Sequence, residues 1–289
     1  MTYCSRLSQV YAGLISVVLL IIGTLSAYAA DEIKVEDLLQ HHLDSIGTSD
    51  VRAAAKSRVV QGAAAYKILV GGTGSITGKA VIVSEGPRLH VLLKVNADRY
   101  RGEKFVRNGD KTFVAGTYAD ATRSEFGEFL RANDVPLREG LLCGVLSTGW
   151  PLLDLSSHGA KLKYEGKKKV DGLELLAVSY RPKKGTDLRI TLYFAPDSFR
   201  HVMTLYTTEA AAGIGPTETE SARQNQARYR IEERFSDFKT VDGLTLPWHY
   251  DLRYQQELQN GFTKLVEWDV TAATIDNNIS LDPRNFETH

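Results

Sequence analysis

From residue 229 onward the chain alternates apolar and polar positions with a period of two, the pattern of strands that bury one face. In the run from Leu244 to Leu258, Leu244, Leu246, Trp248, Tyr250, Leu252 and Tyr254 share one side, while Thr245, His249, Asp251, Arg253 and Gln255 take the other. The run from Phe262 to Ile275 repeats this, with Phe262, Val266, Trp268 and Val270 against Thr263, Glu267, Asp269 and Thr271. Asp242-Gly243 and Asn260-Gly261 separate these two runs and a third, from Tyr229 to Lys239. Both dipeptides supply the positive φ angles of tight hairpins, so three consecutive antiparallel strands are predicted. A sheet face this apolar and aromatic must be covered by another layer or by a ligand.

Upstream, extended runs are predicted from Arg58 to Val70, Gly78 to Glu85, Arg88 to Val95, Lys104 to Asn108 and Lys111 to Ala115. They resume from Ala160 to Lys169, Leu173 to Arg181, Asp187 to Ala195 and Phe199 to Thr208, giving about a dozen strands. Two stretches break the period. Asp31 to Ile46 has helical spacing, with Ile33, Leu38, Leu39, His42, Leu43 and Ile46 on one side and Gly47 as its stop. Residues 118–158 form a helical insertion, with Phe126, Phe129 and Leu130 on one stripe and Leu137, Leu141, Leu142, Val145 and Leu146 on a second, predicted to run helically from Leu137 to Leu146. Trp150 to Leu153 closes the insertion with an apolar knuckle. This insertion is the expected cover of the sheet, and Gly140, Gly144 and Gly149 loosen it. Either a cover that shifts or a permanently closed core fits the pattern. Residues 209–226 lose both alternation and bulk and are predicted to be a mobile hairpin loop.

The first residues are set apart by composition. Arg6, the apolar run Val10 to Leu25 and the small-x-small Ala27-Tyr28-Ala29 read as a signal peptide over residues 1–29, cleaved near Ala29. A retained N-terminal anchor in the inner membrane is the alternative. No cysteine follows the apolar run, so lipid modification is not expected. The mature domain, 30–289, is then an exported periplasmic domain with Cys143 as its sole thiol, and its stability must come from the core. Without Arg6, 34 of the 35 basic residues remain against 35 acidic ones, and this balance offers nucleic acid no electrostatic footprint.

Motifs that carry chemistry are sparse. Gly71-Gly72-Thr73-Gly74 precedes Gly78-Lys79-Ala80, which lacks the hydroxyl and the helix of a phosphate loop. His41 and His42 are helix neighbours that point about 100° apart and cannot share an ion. Cys143 lies in an apolar stripe without a basic neighbour, as a buried inert thiol would. Ser157-His158 are neighbours in a loop, which says nothing of a triad. His201 and His249 sit among polar strand residues and read as surface histidines, with Asp251 within reach of either. Lys167-Lys168-Lys169 reads as a solvated hairpin end. No enzyme, metal or cofactor is expected.

Phe235 to Pro247, reading Phe-Ser-Asp-Phe-Lys-Thr-Val-Asp-Gly-Leu-Thr-Leu-Pro, and Leu281 to Phe286, reading Leu-Asp-Pro-Arg-Asn-Phe, resemble the closing segments of the LolA/LolB-like periplasmic lipoprotein carriers and receptors. The resemblance implies a mainly β (α+β) fold, a large antiparallel sheet curled into an incomplete barrel, with an N-terminal helix and inserted helices covering its concave apolar face. It also implies a cavity for a lipid or for the acyl chain of a lipidated protein. The residues nominated to line it are Leu192, Phe194, Trp248, Tyr250, Leu252, Tyr254, Val266 and Trp268 on the sheet. On the cover they are Phe126, Phe129, Leu130, Leu141, Leu142, Val145 and Trp150. The expected function is a monomeric, non-catalytic carrier, with an envelope sensor or protein-interaction module and a domain with a filled core as alternatives.

Overall fold

The computed structural model describes residues 33–97, 100–118, 122–210 and 227–288. The predicted signal peptide and positions 211–226 of the predicted loop lie outside the described residues. Among the described residues no helix is long and apolar enough to cross a membrane.

Within the unit Val35–His289, two helices, α1 (Val35–Ile46) and α2 (Ser49–Ala54), precede the first strand. β1 (Ser57–Val70), β2 (Gly74–Glu85), β3 (Arg88–Val95), β4 (Gly102–Asn108) and β5 (Lys111–Gly116) then form a meander. After an insert come β6 (Lys161–Val170), β7 (Leu173–Arg181), β8 (Arg189–Phe194), β9 (His201–Ala210), β10 (Ala227–Val241), β11 (Leu244–Leu258) and β12 (Thr263–Asn277). All twelve join in one antiparallel sheet, ordered β5-β4-β3-β2-β1-β12-β11-β10-β9-β8-β7-β6, that does not close on itself. The incomplete barrel expected from the resemblance is therefore the observed architecture. The Asp242-Gly243 hairpin forms as predicted, with φ of 51° and 78°, whereas at Asn260-Gly261 only Gly261 is left-handed, at 84°, and the turn is longer, closed by Leu258 N–H on the Phe262 carbonyl at 2.9 Å.

This strand order explains the insert. β1 and β12, the first and last strands, pair at the centre, so β5 and β6 are the two free edges. The segment that joins them must cross a face of the sheet, and it brings its apolar stripes onto that face. The inner face is thus covered because of topology as well as hydrophobicity. The insert consists of α3 (Glu125–Ala132), α4 (Val135–Arg138), 3-10 turns at Gly144–Leu146 and Pro151–Asp154, and α5 (Leu155–His158).

The central seam carries a register shift between Gln61 and Gly62. A Cβ at Gly62 would lie 2.1 Å from the Thr271 carbonyl oxygen, closer than any real contact, so only glycine lets β1 and β12 approach here. Gly62→Ala is expected to destabilise the protein by about 2 kcal/mol or more, read as a lower denaturation midpoint at unchanged slope. A midpoint equal to wild type would show that the seam gives way freely.

The outer face of β1, β11 and β12 is wet, as the alternation requires, whereas that of β7 to β9 buries an apolar cluster of Leu175, Ala177, Tyr193 and Met203. Lys67 Nζ lies 2.5 Å from Asp269 Oδ2 and 3.1 Å from Glu267 Oε1, and Arg253 Nε donates to Glu267 Oε2 at 2.7 Å. The Lys167-Lys168-Lys169 run is exposed.

Three local predictions are corrected. The run from Leu137 to Leu146 is no continuous helix: α4 ends at Arg138, and Gly140, Cys143 and Gly144 adopt positive φ of 77°, 68° and 48°. His201 is buried rather than a surface residue, because a bulge between Tyr193 and Phe194 pairs it with Phe194 and turns it inward. The N-terminal helix begins at Val35 rather than Asp31 among the described residues, and α2 has no counterpart in the sequence reading. Phe286 is fully buried, and its 3-10 turn packs on β3 and β4.

Candidate functional site

The site is the layer between the inner face and the insert. Strand register places polar residues there among the apolar ones: Arg58 shares a face with Val60, Glu103 with Phe105, and Glu233 with Ile231 and Phe235. Each of these polar side chains reaches up to the insert.

At the β4 end, α3 begins at Ser124, whose Oγ caps the helix by accepting from Gly127 N–H at 3.1 Å. The same hydroxyl donates to Glu103 Oε1 at 2.5 Å, the Ser124 N–H donates to Oε2 at 3.2 Å, and Tyr100 Oη donates to Oε1 at 2.9 Å. Burial holds the Glu103 carboxyl above the usual carboxylate range. From this anchor Phe126 packs edge-on to Phe105 at 5.4 Å between centroids, and Phe129 meets Tyr229 at 5.3 Å and Tyr254 at 6.0 Å.

The middle of the insert is fixed by Glu233. Cys143 N–H donates to its Oε1 at 2.6 Å, Tyr250 Oη to Oε1 at 2.8 Å and Tyr206 Oη to Oε2 at 2.6 Å. The left-handed Cys143 backbone aims an amide at the sheet that a helix would have kept for itself. A Cβ at Gly144 would come 2.8 Å from Phe235 Cζ, so the turn sits directly on β10. Burial pushes the Glu233 pKa up from 4.5 to about 7, against the pull of its three donors. Burial also pushes the Cys143 thiol up, which leaves the thiolate unavailable, as the inert-thiol reading expects.

The last pins involve Arg58 and a pair of histidines. Arg58, 4% exposed, donates from Nη1 to the Val145 carbonyl at 2.6 Å and from Nε to Asn277 Oδ1 at 2.8 Å. Trp150 stacks on His201 at 4.8 Å, and its Nε1–H lies 3.3 Å from His42 Nε2. Nδ1 of His42 lies 3.1 Å from the Phe199 carbonyl, so a neutral ring with its proton on Nδ1 satisfies both contacts. Burial lowers the His42 pKa to about 4, so the ring stays neutral at physiological pH. At the far edge Tyr180 Oη donates to Glu139 Oε2 at 3.2 Å.

The residues nominated from sequence gather in this layer. Phe126, Phe129, Leu130, Leu141, Leu142, Val145, Trp150, Leu192, Phe194, Tyr250, Leu252, Tyr254, Val266 and Trp268 are all buried, and Trp248 is half-buried with Lys239 Nζ 4.8 Å over its ring. Across the layer Phe126 and Phe129 meet Tyr254 at 6.2 Å and 6.0 Å between centroids. Val145 alone among the nominated residues borders either of two cavities, of about 350 Å3 and about 1510 Å3, and it borders the smaller. Sequence reasoning missed Glu233, Glu103 and Arg58. The available signal was a charged residue at the apolar parity of its strand.

On the outer face His249 Nε2 lies 3.1 Å from Asp251 Oδ1 and 3.2 Å from Asp269 Oδ1, and these are donor types that hold metal ions. Asp269 is already engaged by Lys67, and the trio lies across the sheet from the insert. His249 meets a carboxylate, as its position among polar strand residues allowed.

No family model and no curated protein matches the sequence. Among solved structures, a DUF1329 family protein from Desulfovibrio piger is similar at 16% identity and a TM-score of 0.47, over 88% of this chain and 97% of that one. A LolA superfamily protein from Nitrosomonas europaea is similar at 11% identity and a TM-score of 0.44, over 89% of this chain and 98% of that one. At these identities and TM-scores neither match transfers a family, a residue or a ligand to this chain.

Proposed function

We propose that the chain binds an acyl chain or another apolar moiety on the inner face of its sheet when the insert lifts, and that it works as a non-catalytic carrier in the cell envelope. The observation that carries this reading is how the cover is held. An apolar insert packs on an apolar face, yet it is fastened through Glu103, Glu233, Arg58 and His42, buried groups that hydrogen-bond to it. Buried polar pins add little stability over apolar packing, but they fix one arrangement, and water can take over their hydrogen bonds when the layers part.

The nominated residues supply the binding surface once exposed. An acyl chain gains about 0.8 kcal/mol per methylene, so a dozen methylenes give roughly 10 kcal/mol before the cost of displacing the insert. Signal-peptide cleavage near Ala29, periplasmic location and a lipidated protein as cargo belong to this reading. A second reading, a protein-interaction module, is favoured by the cavity of about 1510 Å3 on β6 to β11, bordered by Tyr193, Arg189 and Arg230.

Native mass spectrometry of the protein purified from an envelope fraction, with lipid extraction, separates the two. A reproducible lipid or acyl-peptide mass is expected. A bare protein mass, with no uptake of added fatty acid or phospholipid, would sink the carrier reading and leave the interaction module.

A further inference from the structure

The smaller cavity, about 350 Å3, lies where α1, α2, β1, the start of β11 and the 3-10 turns of the insert meet. Its apolar wall is Ile46, Val145, Leu153 and Leu244. Its polar lining contains Arg52, Lys56, Arg58 and Thr148, and no acidic residue borders it.

Two features there are unfinished. Arg58 is a buried cation whose bonds go only to a carbonyl and an amide, and no carboxylate pairs with it among the described residues. A buried charge without a counter-charge is costly, and most proteins place an acid beside it. Thr148 Oγ1 is buried in the same wall and has no hydrogen-bond partner among the described residues. Arg52 is spoken for in part, donating from Nη1 to the Leu43 carbonyl at 2.7 Å, with Asp44 at 3.6 Å, while Lys56 is exposed at the rim. An anionic oxygen group placed between them would accept from the hydroxyl, balance the guanidinium and meet the ammonium.

We infer that this cavity receives the anionic head of the amphiphile, a carboxylate or a phosphate, while the inner face takes its chain. The assignment rests on the carrier reading and names its substrate class: an acidic lipid rather than a neutral one. Size agrees with a head-group role. The volume stands at the lower end of ligand pockets and equals about a dozen waters, which accommodates a head and a few methylenes but no long chain. Both unfinished groups lie beside Val145, so the head would sit at the edge of the insert that must move.

The test compares oleate, methyl oleate and inorganic phosphate, titrated into the full chain by calorimetry. Oleate is expected to bind about tenfold tighter than its ester, the worth of one charge-assisted hydrogen bond. In the double variant Lys56→Ala, Thr148→Val, which leaves the buried Arg58 in place and should fold, that preference is expected to fall to about threefold or less. Arg58→Gln should abolish it, with circular dichroism reporting whether that variant is folded. Equal binding of oleate and ester would overturn the head-group assignment and leave acyl binding standing. Phosphate binding without either lipid would support the anion pocket but sink the carrier reading, with a free anion as its ligand. Binding of none of the three would overturn both.

Discussion

Glu233→Leu is expected to destabilise the protein by about 3 kcal/mol or more, whereas Glu233→Gln should be close to neutral at pH 5 and stabilising at pH 8. The leucine leaves the Cys143 N–H and the hydroxyls of Tyr206 and Tyr250 facing apolar atoms, and all three groups are buried. Each orphaned donor costs about 1–3 kcal/mol, less whatever the tyrosines regain by rotating. Glutamine keeps an oxygen for the Cys143 amide and turns its NH2 toward Tyr206, whose hydroxyl can accept as well as donate.

The pH dependence follows from burial. The Glu233 pKa rises from 4.5 to about 7 on folding, so the folded state binds its proton more tightly than the unfolded chain. The resulting stabilisation is fully present below the unfolded value and is lost as pH rises through about 7. For a shift of this size it amounts to about 3 kcal/mol. Urea denaturation of wild type and Glu233→Gln at pH 5 and pH 8 isolates it. The wild type should lose stability relative to the variant between the two values. A pH-independent difference would mean that Glu233 is ionised throughout.

Trp150→Ala should cost about 3–5 kcal/mol, the usual range for truncating a buried aromatic. Trp150 is 1% exposed, stacks on His201 and lies against His42, so its loss opens a void where insert, α1 and β9 meet. Trp150→Phe keeps a ring over His201 and loses the indole N–H, and should cost about 1–2 kcal/mol. Calorimetric melting distinguishes the pair. Equal losses would assign the whole effect to the contact with His42.

The repeated alternation and the glycine turns made the strands legible, because hairpin chemistry and a half-buried face are local properties. The order of the strands was not. The pairing of Arg58 with Asn277 and Tyr66 with Trp268 joins residues from opposite ends of the chain, and no local pattern encodes it. The insert was legible as a cover through Phe126, Phe129 and Leu130, but its middle was not. Leu137 to Leu146 has helical apolar spacing, yet Glu233 takes the Cys143 amide and three left-handed residues break the helix, an outcome set by tertiary contact. His201 failed for a related reason, since one bulge reverses which side of β9 it occupies. The polar pins were in plain view: of Glu232 and Glu233, strand parity sends one inward with Ile231 and Phe235.

Whether the insert lifts from the sheet is the central question, and amide hydrogen exchange on the full chain, with and without oleate, addresses it most directly. Amides of 122–158, that of Cys143 included, are expected to exchange through an opening well below the global unfolding free energy and to change protection when oleate is present, while β1 and β12 hold. Exchange of the insert only through global unfolding, unchanged by oleate, would show a permanently filled core and contradict the carrier reading.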